Sequence, residues 1–185
     1  VNSFRQLKII VCGAIALLFA LPFVAHAQLK VGATAPAFSI DAALGGNAFA
    51  FSLNDALKKG PVVLYFYPAA FTKGCTIEAH DFAEATDEYK AHGATVLGVS
   101  ADDLDKLKKF SVSACQSKFA VGADPHAKVI KAYDAQMAFK PDMANRISYV
   151  ITPDQKIYYH YSSMSPDGHV ANTMAAVKDW VAKNK

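Results

Sequence analysis

Seven consecutive residues, Pro61-Val62-Val63-Leu64-Tyr65-Phe66-Tyr67, contain no charged or amide side chain. A strand with one solvated face alternates polar and apolar residues, so this unbroken β-branched and aromatic run predicts a strand covered on both faces. Strands of that kind lie in the middle of sheets flanked by helices, which places the chain in the α/β class. Thr95 to Ser100 is a second such run. Between the two, Ile77, Phe82, Ala85 and Tyr89 recur at helical spacing over Thr76 to His92, and Gly93 follows where a helix end favours a left-handed glycine.

The remaining pattern extends this strand, loop, helix, strand unit. Upstream, Ala37 to Ile40 and Ala48 to Phe51 alternate with period two around Gly45-Gly46-Asn47, predicting an N-terminal β-hairpin. Downstream, helices are predicted over Asp102 to Phe119, Asp124 to Ala135 and Val170 to Lys183, the second opening on Asp124-Pro125. Arg146 to Ile151 and Ile157 to Tyr161 read as strands joined by a turn at Thr152 to Lys156. One domain with a central mixed β-sheet flanked by helices results. A thioredoxin-like order fits it, and a small flavodoxin-like sheet remains open on pattern alone.

The first 27 residues stand outside this domain. Arg5 and Lys8 precede an apolar run from Ile9 to Val24 that ends in Ala25-His26-Ala27, the layout of a secretory signal cleaved between Ala27 and Gln28. The run is shorter than the ~20 residues of a spanning helix and is interrupted by Pro22, so a retained anchor is the weaker reading. Residues 28–185 then form an exported domain, in a bacterium a periplasmic one, with no stable membrane association. Without Arg5 and Lys8 the formal charge falls from +3 toward neutrality, and no basic block remains to recruit nucleic acid. Of the three cysteines, Cys75 and Cys115 are left. In an oxidising compartment such a pair is either a structural staple or a redox couple.

Cys75 follows the loop that leaves the first buried strand and falls in the first turn of the next helix. Ligands of open α/β sheets bind beyond the carboxyl ends of strands, and a helix N-terminus favours a thiolate over a thiol. Position alone leaves Cys75 either reactive or an inert buried cysteine. Gly74 and Cys75 would present unpaired backbone N–H groups to the same point.

The segment YFYPAAFTKGCTIEAHDF, with Pro68, Thr72 and Cys75 spaced as PxxxTxxC, resembles the active-site signature of the peroxiredoxins. Asp102-Asp103 at the start of the next helix and RISYVITPDQKI near the C-terminus extend the likeness to the bacterioferritin-comigratory, or PrxQ-like, branch. The resemblance implies a thioredoxin-like fold and a thiol peroxidase acting on hydrogen peroxide and organic hydroperoxides. It implies Cys75 as the peroxidatic thiolate, oxidised to a sulfenic acid, and Arg146 as the cation that stabilises the thiolate and polarises the peroxide. Thr72 would offer its hydroxyl to thiolate and substrate, Pro68 would fix the loop and exclude water, and Gly74 would lie against the bound peroxide. Cys115 on the second helix becomes the candidate resolving thiol, forming an intramolecular disulfide; otherwise an external thiol resolves a 1-Cys enzyme.

Glu78 would face Arg146 or serve as a first-turn acid. His80 stands where many PrxQ-like chains carry a second cysteine. His92, His126, His160 and His169 lack metal-ligand spacing and read as surface or loop residues. No metal or organic cofactor is implied; the partners are a hydroperoxide and a thioredoxin-like or other thiol reductant, and the protein would be a monomer or weak dimer. Two other readings share the fold. A thiol-disulfide oxidoreductase would need C-x-x-C, which Cys75-Thr76-Ile77-Glu78 lacks, and a copper-delivery module usually needs two cysteines close in sequence.

Overall fold

A computed structural model describes residues 28–184. The expected leader and its cleavage point lie outside the described residues.

The elements follow in the order β1 (Ser39–Leu44), β2 (Asn47–Ser52), α1 (Leu53–Leu57), β3 (Val62–Phe66), α2 (Lys73–Ala91), β4 (Thr95–Ser100), α3 (Leu104–Ser113), β5 (Ala120–Ala123), α4 (Lys128–Ala132), β6 (Gln136–Met137), β7 (Lys140–Ala144), β8 (Ile147–Ile151), β9 (Ile157–Ser162) and α5 (His169–Lys183). Seven strands form one sheet in the order β2-β1-β5-β4-β3-β8-β9, and β6 and β7 pair separately. β3, β4 and β5 are parallel, while β8 runs antiparallel to β3 and β1 antiparallel to β5. The antiparallel β8 beside the central strand removes the flavodoxin-like alternative and makes the domain thioredoxin-like.

All five residues of β3 are buried, as its apolar run demands. Val63, Tyr65 and Tyr67 join a cluster with Phe82, Leu107, Phe110 and Val177 on one face, and Val62, Leu64 and Phe66 join Leu53, Leu97, Ile130 and Tyr149 on the other. Tyr65 stacks on Phe82 at 4.3 Å and leans over its cross-strand neighbour Gly98. A Cβ at Gly98 would lie 2.6 Å from Tyr65 Cζ. Gly98→Ala is therefore expected to cost about 1–3 kcal/mol through overpacking, read as a lower urea midpoint at unchanged slope.

Local chemistry sets the joints. Gly45 and Gly46, at φ 56° and 82°, form the two-residue turn of the β1–β2 hairpin. At the end of α2, Ala94 N donates to Tyr89 O and Gly93 N to Lys90 O, with Gly93 at φ 72°, a Schellman closure.

Three expectations change. α2 begins at Lys73, three residues before Thr76, and Cys75 keeps its expected place in the first turn. α3 ends at Ser113 rather than Phe119, because Gln116 and Ser117 turn the chain at φ 50° and 57° into β5. Cys115 thus lies in a turn beyond α3, not on the helix. α4 covers only Lys128–Ala132 with Ala127 rather than Asp124 at its N-cap, although the Asp124 carboxylate still accepts from Lys128 N at 2.9 Å and Ile130 N at 2.8 Å. The sequence pattern does not predict α1, β5 or the β6–β7 pair.

Candidate active site

β3 delivers the chain to the site and β8 returns beside it. Phe66 at the carboxyl end of β3 pairs with Ile147, the first residue of β8, so Arg146 arrives next to the loop that leads into α2. That loop is fastened by Asp102, whose Oδ2 accepts from Ala70 N at 2.7 Å and from Ser100 Oγ at 2.8 Å. Phe71, at φ 67°, is half-exposed and meets Phe110 edge-on at 5.2 Å.

Cys75 is 1% exposed, and its Sγ lies 3.4 Å from Arg146 Nη2. Arg146 Nη1 donates to Glu78 Oε2, and Arg146 Nε donates to Met164 O at 3.1 Å. The guanidinium is thereby held at all three nitrogens, by sulfur, carboxylate and carbonyl. Gly74 makes room for it: a Cβ there would stand 3.1 Å from Nη2. No side chain among the described residues caps α2, so its first-turn N–H groups add positive potential at the sulfur.

Burial alone would lower the pKa of Arg146, but the facing Glu78 carboxylate and Cys75 sulfur carry it above its ordinary value. Glu78, fully buried, is pushed upward by desolvation, against the pull of Arg146. The guanidinium stays charged and stands as a fixed cation beside the Cys75 sulfur at the helix N-terminus.

The structure brings Cys75, Gly74 and Arg146 together with Glu78. Pro68, half-buried, opens the loop. Thr72 is the N-cap of α2, and its hydroxyl donates to Ala69 O at 2.9 Å rather than to Cys75. Cys115 is a free, buried thiol, as is Cys75; desolvation pushes Cys115 well above the ordinary thiol range. Its neighbour Gln116 contacts His80 Nδ1 of α2 at 2.9 Å, which ties the turn to the helix carrying Cys75.

One reading is corrected. His169 is neither surface nor loop but the fully buried first residue of α5, 2.8 Å from Ser148 Oγ. The contact joins residues 21 apart in the chain, and periodicity carries no signal of it. Among the described residues, no group of three or more His, Cys, Asp or Glu side chains is placed to hold a metal ion.

A buried cysteine at a helix N-terminus of a thioredoxin-like sheet, gripped by an arginine, defines a thiol-based enzyme class. The AhpC/TSA family pattern matches residues 31–160, and the chain belongs to that family. It is 32% identical over 146 residues to Peroxiredoxin Bcp of Escherichia coli, covering 76% of this chain and 90% of that protein. Peroxiredoxin Q, chloroplastic, of Triticum aestivum is 32% identical over 66% of this chain, which spans 56% of that protein's length. Among solved structures, Peroxidoxin BcpB from Mycobacterium tuberculosis superposes with a TM-score of 0.74 at 29% identity, covering 82% of this chain and 98% of that one. The chain is a peroxiredoxin of the Bcp/PrxQ kind.

Proposed function

We propose that Cys75 is the peroxidatic nucleophile of a thiol peroxidase. The observation that carries this reading is the 3.4 Å approach of Arg146 Nη2 to Cys75 Sγ at the N-terminus of α2. The thiolate attacks the terminal oxygen of the hydroperoxide and the O–O bond breaks. Sulfur becomes a sulfenic acid, and the departing alkoxide or hydroxide takes a proton to leave as alcohol or water. Negative charge develops on the oxygens in that step, and Arg146 with the N–H groups of Gly74 and Cys75 supplies preorganised positive potential. Pro68 fixes the loop, and Thr72 would turn its hydroxyl from Ala69 O toward the substrate.

Organic hydroperoxides are accepted alongside hydrogen peroxide. Partly exposed apolar side chains support this: Phe71 precedes the signature threonine, Ile77 follows Cys75 by two residues, and Met164 provides the carbonyl that holds Arg146.

Cys115 resolves the sulfenic acid, its sulfur displacing the hydroxyl as water and forming an internal disulfide. A buried thiol of raised pKa must reach solvent or the sulfenic acid before it can ionise, so the first turn of α2 unwinds and the turn after α3 opens. Two consecutive non-glycine residues at positive φ, Gln116 and Ser117, store strain that this opening releases. A thioredoxin-like dithiol then reduces the disulfide. With the leader of residues 1–27 removed, that reductant is exported too, or is supplied with electrons across the membrane.

The test is peroxide consumption by the fully reduced protein, one equivalent at a time, with a sulfenic-acid trap. Stoichiometric consumption with trapping at Cys75 is expected; disulfide exchange or copper binding without peroxide consumption would favour the oxidoreductase or copper-delivery readings. Cys115→Ser is expected to halt at sulfenic acid, to over-oxidise to sulfinic acid faster, and to lose turnover with a dithiol reductant. Peptide mapping after one equivalent of peroxide checks it. An absent Cys75–Cys115 cross-link, with unchanged turnover in Cys115→Ser, makes this a 1-Cys enzyme.

A further inference from the structure

Behind Arg146 the site continues into a buried polar cluster that the reaction above does not use. Glu78 gives Oε2 to Arg146, while its Oε1 is buried without a hydrogen-bond partner among the described residues and stands 3.6 Å from His169 Nδ1. The imidazole is anchored at both nitrogens, with Nε2 3.0 Å from Ser163 O and Nδ1 2.8 Å from Ser148 Oγ. A carbonyl only accepts, so Nε2 carries the hydrogen, and Nδ1 of the neutral ring accepts from Ser148. Tyr161 meets the ring edge-to-face at 4.8 Å. A fully buried histidine held on three sides is there to place an atom, and the atom it places at Glu78 is Nδ1.

The same backbone segment holds the arginine. Ser163 N donates to Arg146 O at 3.3 Å, and Met164 O accepts from Arg146 Nε at 3.1 Å. Ser148 lies on β8 two residues beyond Arg146 and pairs across the sheet with Tyr65. The His169 ring is therefore linked to the guanidinium by two routes, through its contact with Glu78 and through the Ser163–Met164 segment.

We propose that His169 is a positioning residue, held by Ser148 and Ser163, that backs the inner oxygen of Glu78 and so keeps Arg146 aimed at Cys75. This rests on the Cys75–Arg146 reading above. The Nδ1 lone pair is taken by the Ser148 hydroxyl, so the ring backs Oε1 at 3.6 Å by position, and its second hold on the guanidinium runs from Nε2 through Ser163 O to the neighbouring Met164 O. The other ionisable groups around the pair are Tyr65 on β3, Cys75 and Asp81 on α2, Arg146 before β8 and Tyr161 on β9.

The experiment compares His169→Ala, His169→Gln and Ser148→Ala with wild type, each alone and with Arg146→Ala. Two quantities are read: the second-order rate constant with hydrogen peroxide and the pH midpoint of Cys75 alkylation, with Cys115→Ser as the common background. His169→Ala is expected to slow the reaction on the order of tenfold to a hundredfold and to move the midpoint to higher pH. His169→Gln can keep a donor toward Ser163 O but places nothing at Nδ1, so it should restore the fold without the rate. In the Arg146→Ala background the same substitutions should change either readout by less than about twofold, because the effect travels through Arg146. Wild-type rate and midpoint in a folded His169 variant, or an undiminished loss without Arg146, overturns the proposal. If His169→Ala does not fold, His169→Gln and Ser148→Ala decide by the same criteria. Peroxidase activity surviving Cys75→Ser would instead overturn the underlying site reading.

Discussion

Cys75→Ser is expected to leave a folded protein whose peroxide consumption is at least about a thousandfold below wild type. The loss is chemical rather than steric. A serine oxygen is not ionised near neutral pH by one arginine and a helix terminus, and it cannot be oxidised to a counterpart of sulfenic acid. The fold should survive because the hydroxyl is smaller than the thiol it replaces and can still accept from Arg146 Nη2, so the buried guanidinium keeps its partners. Stopped peroxide consumption with unchanged circular dichroism is the predicted result. More than about a thousandth of wild-type activity, the floor set by that expectation, would remove Cys75 from the proposed role and move attention to Cys115, the other free thiol in the described domain.

What could be read without coordinates divides along physical lines. The β3 run and the Gly93 helix end are local statements: burial on both faces forbids polar alternation, and a left-handed closure favours glycine. Cys75 at the start of α2 is legible for the same reason. β5 is not, because Ala120-Val121-Gly122-Ala123 has little intrinsic preference and is a strand only through its pairing with β4 and β1. The false extension of α3 over Cys115 follows from that omission. α1, at five residues, is too short to show periodicity. Arg146 becomes a candidate only through family resemblance, since spacing alone cannot bring together residues 71 apart. Glu78 can be flagged by lying one helical turn after Cys75, but which residue it grips is a tertiary fact. His169 carries no usable signal. Its partners Ser148 and Ser163 are common polar residues, and the closure of β8, β9 and α5 is what turns them into an imidazole clamp.

Arg146→Ala is expected to reduce the rate of Cys75 oxidation by roughly 10²- to 10³-fold, about 3–4 kcal/mol of transition-state stabilisation. The substitution removes the donor at 3.4 Å from the sulfur and leaves Glu78 buried without its cation. Desolvation already drives Glu78 upward, so the orphaned carboxyl should take up a proton rather than remain charged, which limits the damage to the fold. Arg146→Lys separates charge from geometry. An ammonium keeps the positive charge, but it cannot span Glu78 Oε2, Cys75 Sγ and Met164 O as the planar fork does. Held by the buried carboxylate, it should sit back from the sulfur and recover only part of the rate. The order wild type, Arg146→Lys, Arg146→Ala should appear as a falling peroxide rate constant and as a rising pH midpoint of Cys75 alkylation. Adding Glu78→Gln tests the same balance from the other side. With the carboxylate gone, the ammonium of the Arg146→Lys enzyme loses the anion that draws it away from Cys75, and the gap between the lysine and arginine enzymes should narrow. An alkylation profile in Arg146→Ala identical to wild type would show that the cation does not govern the thiol. The 3.4 Å contact would then be packing without chemistry.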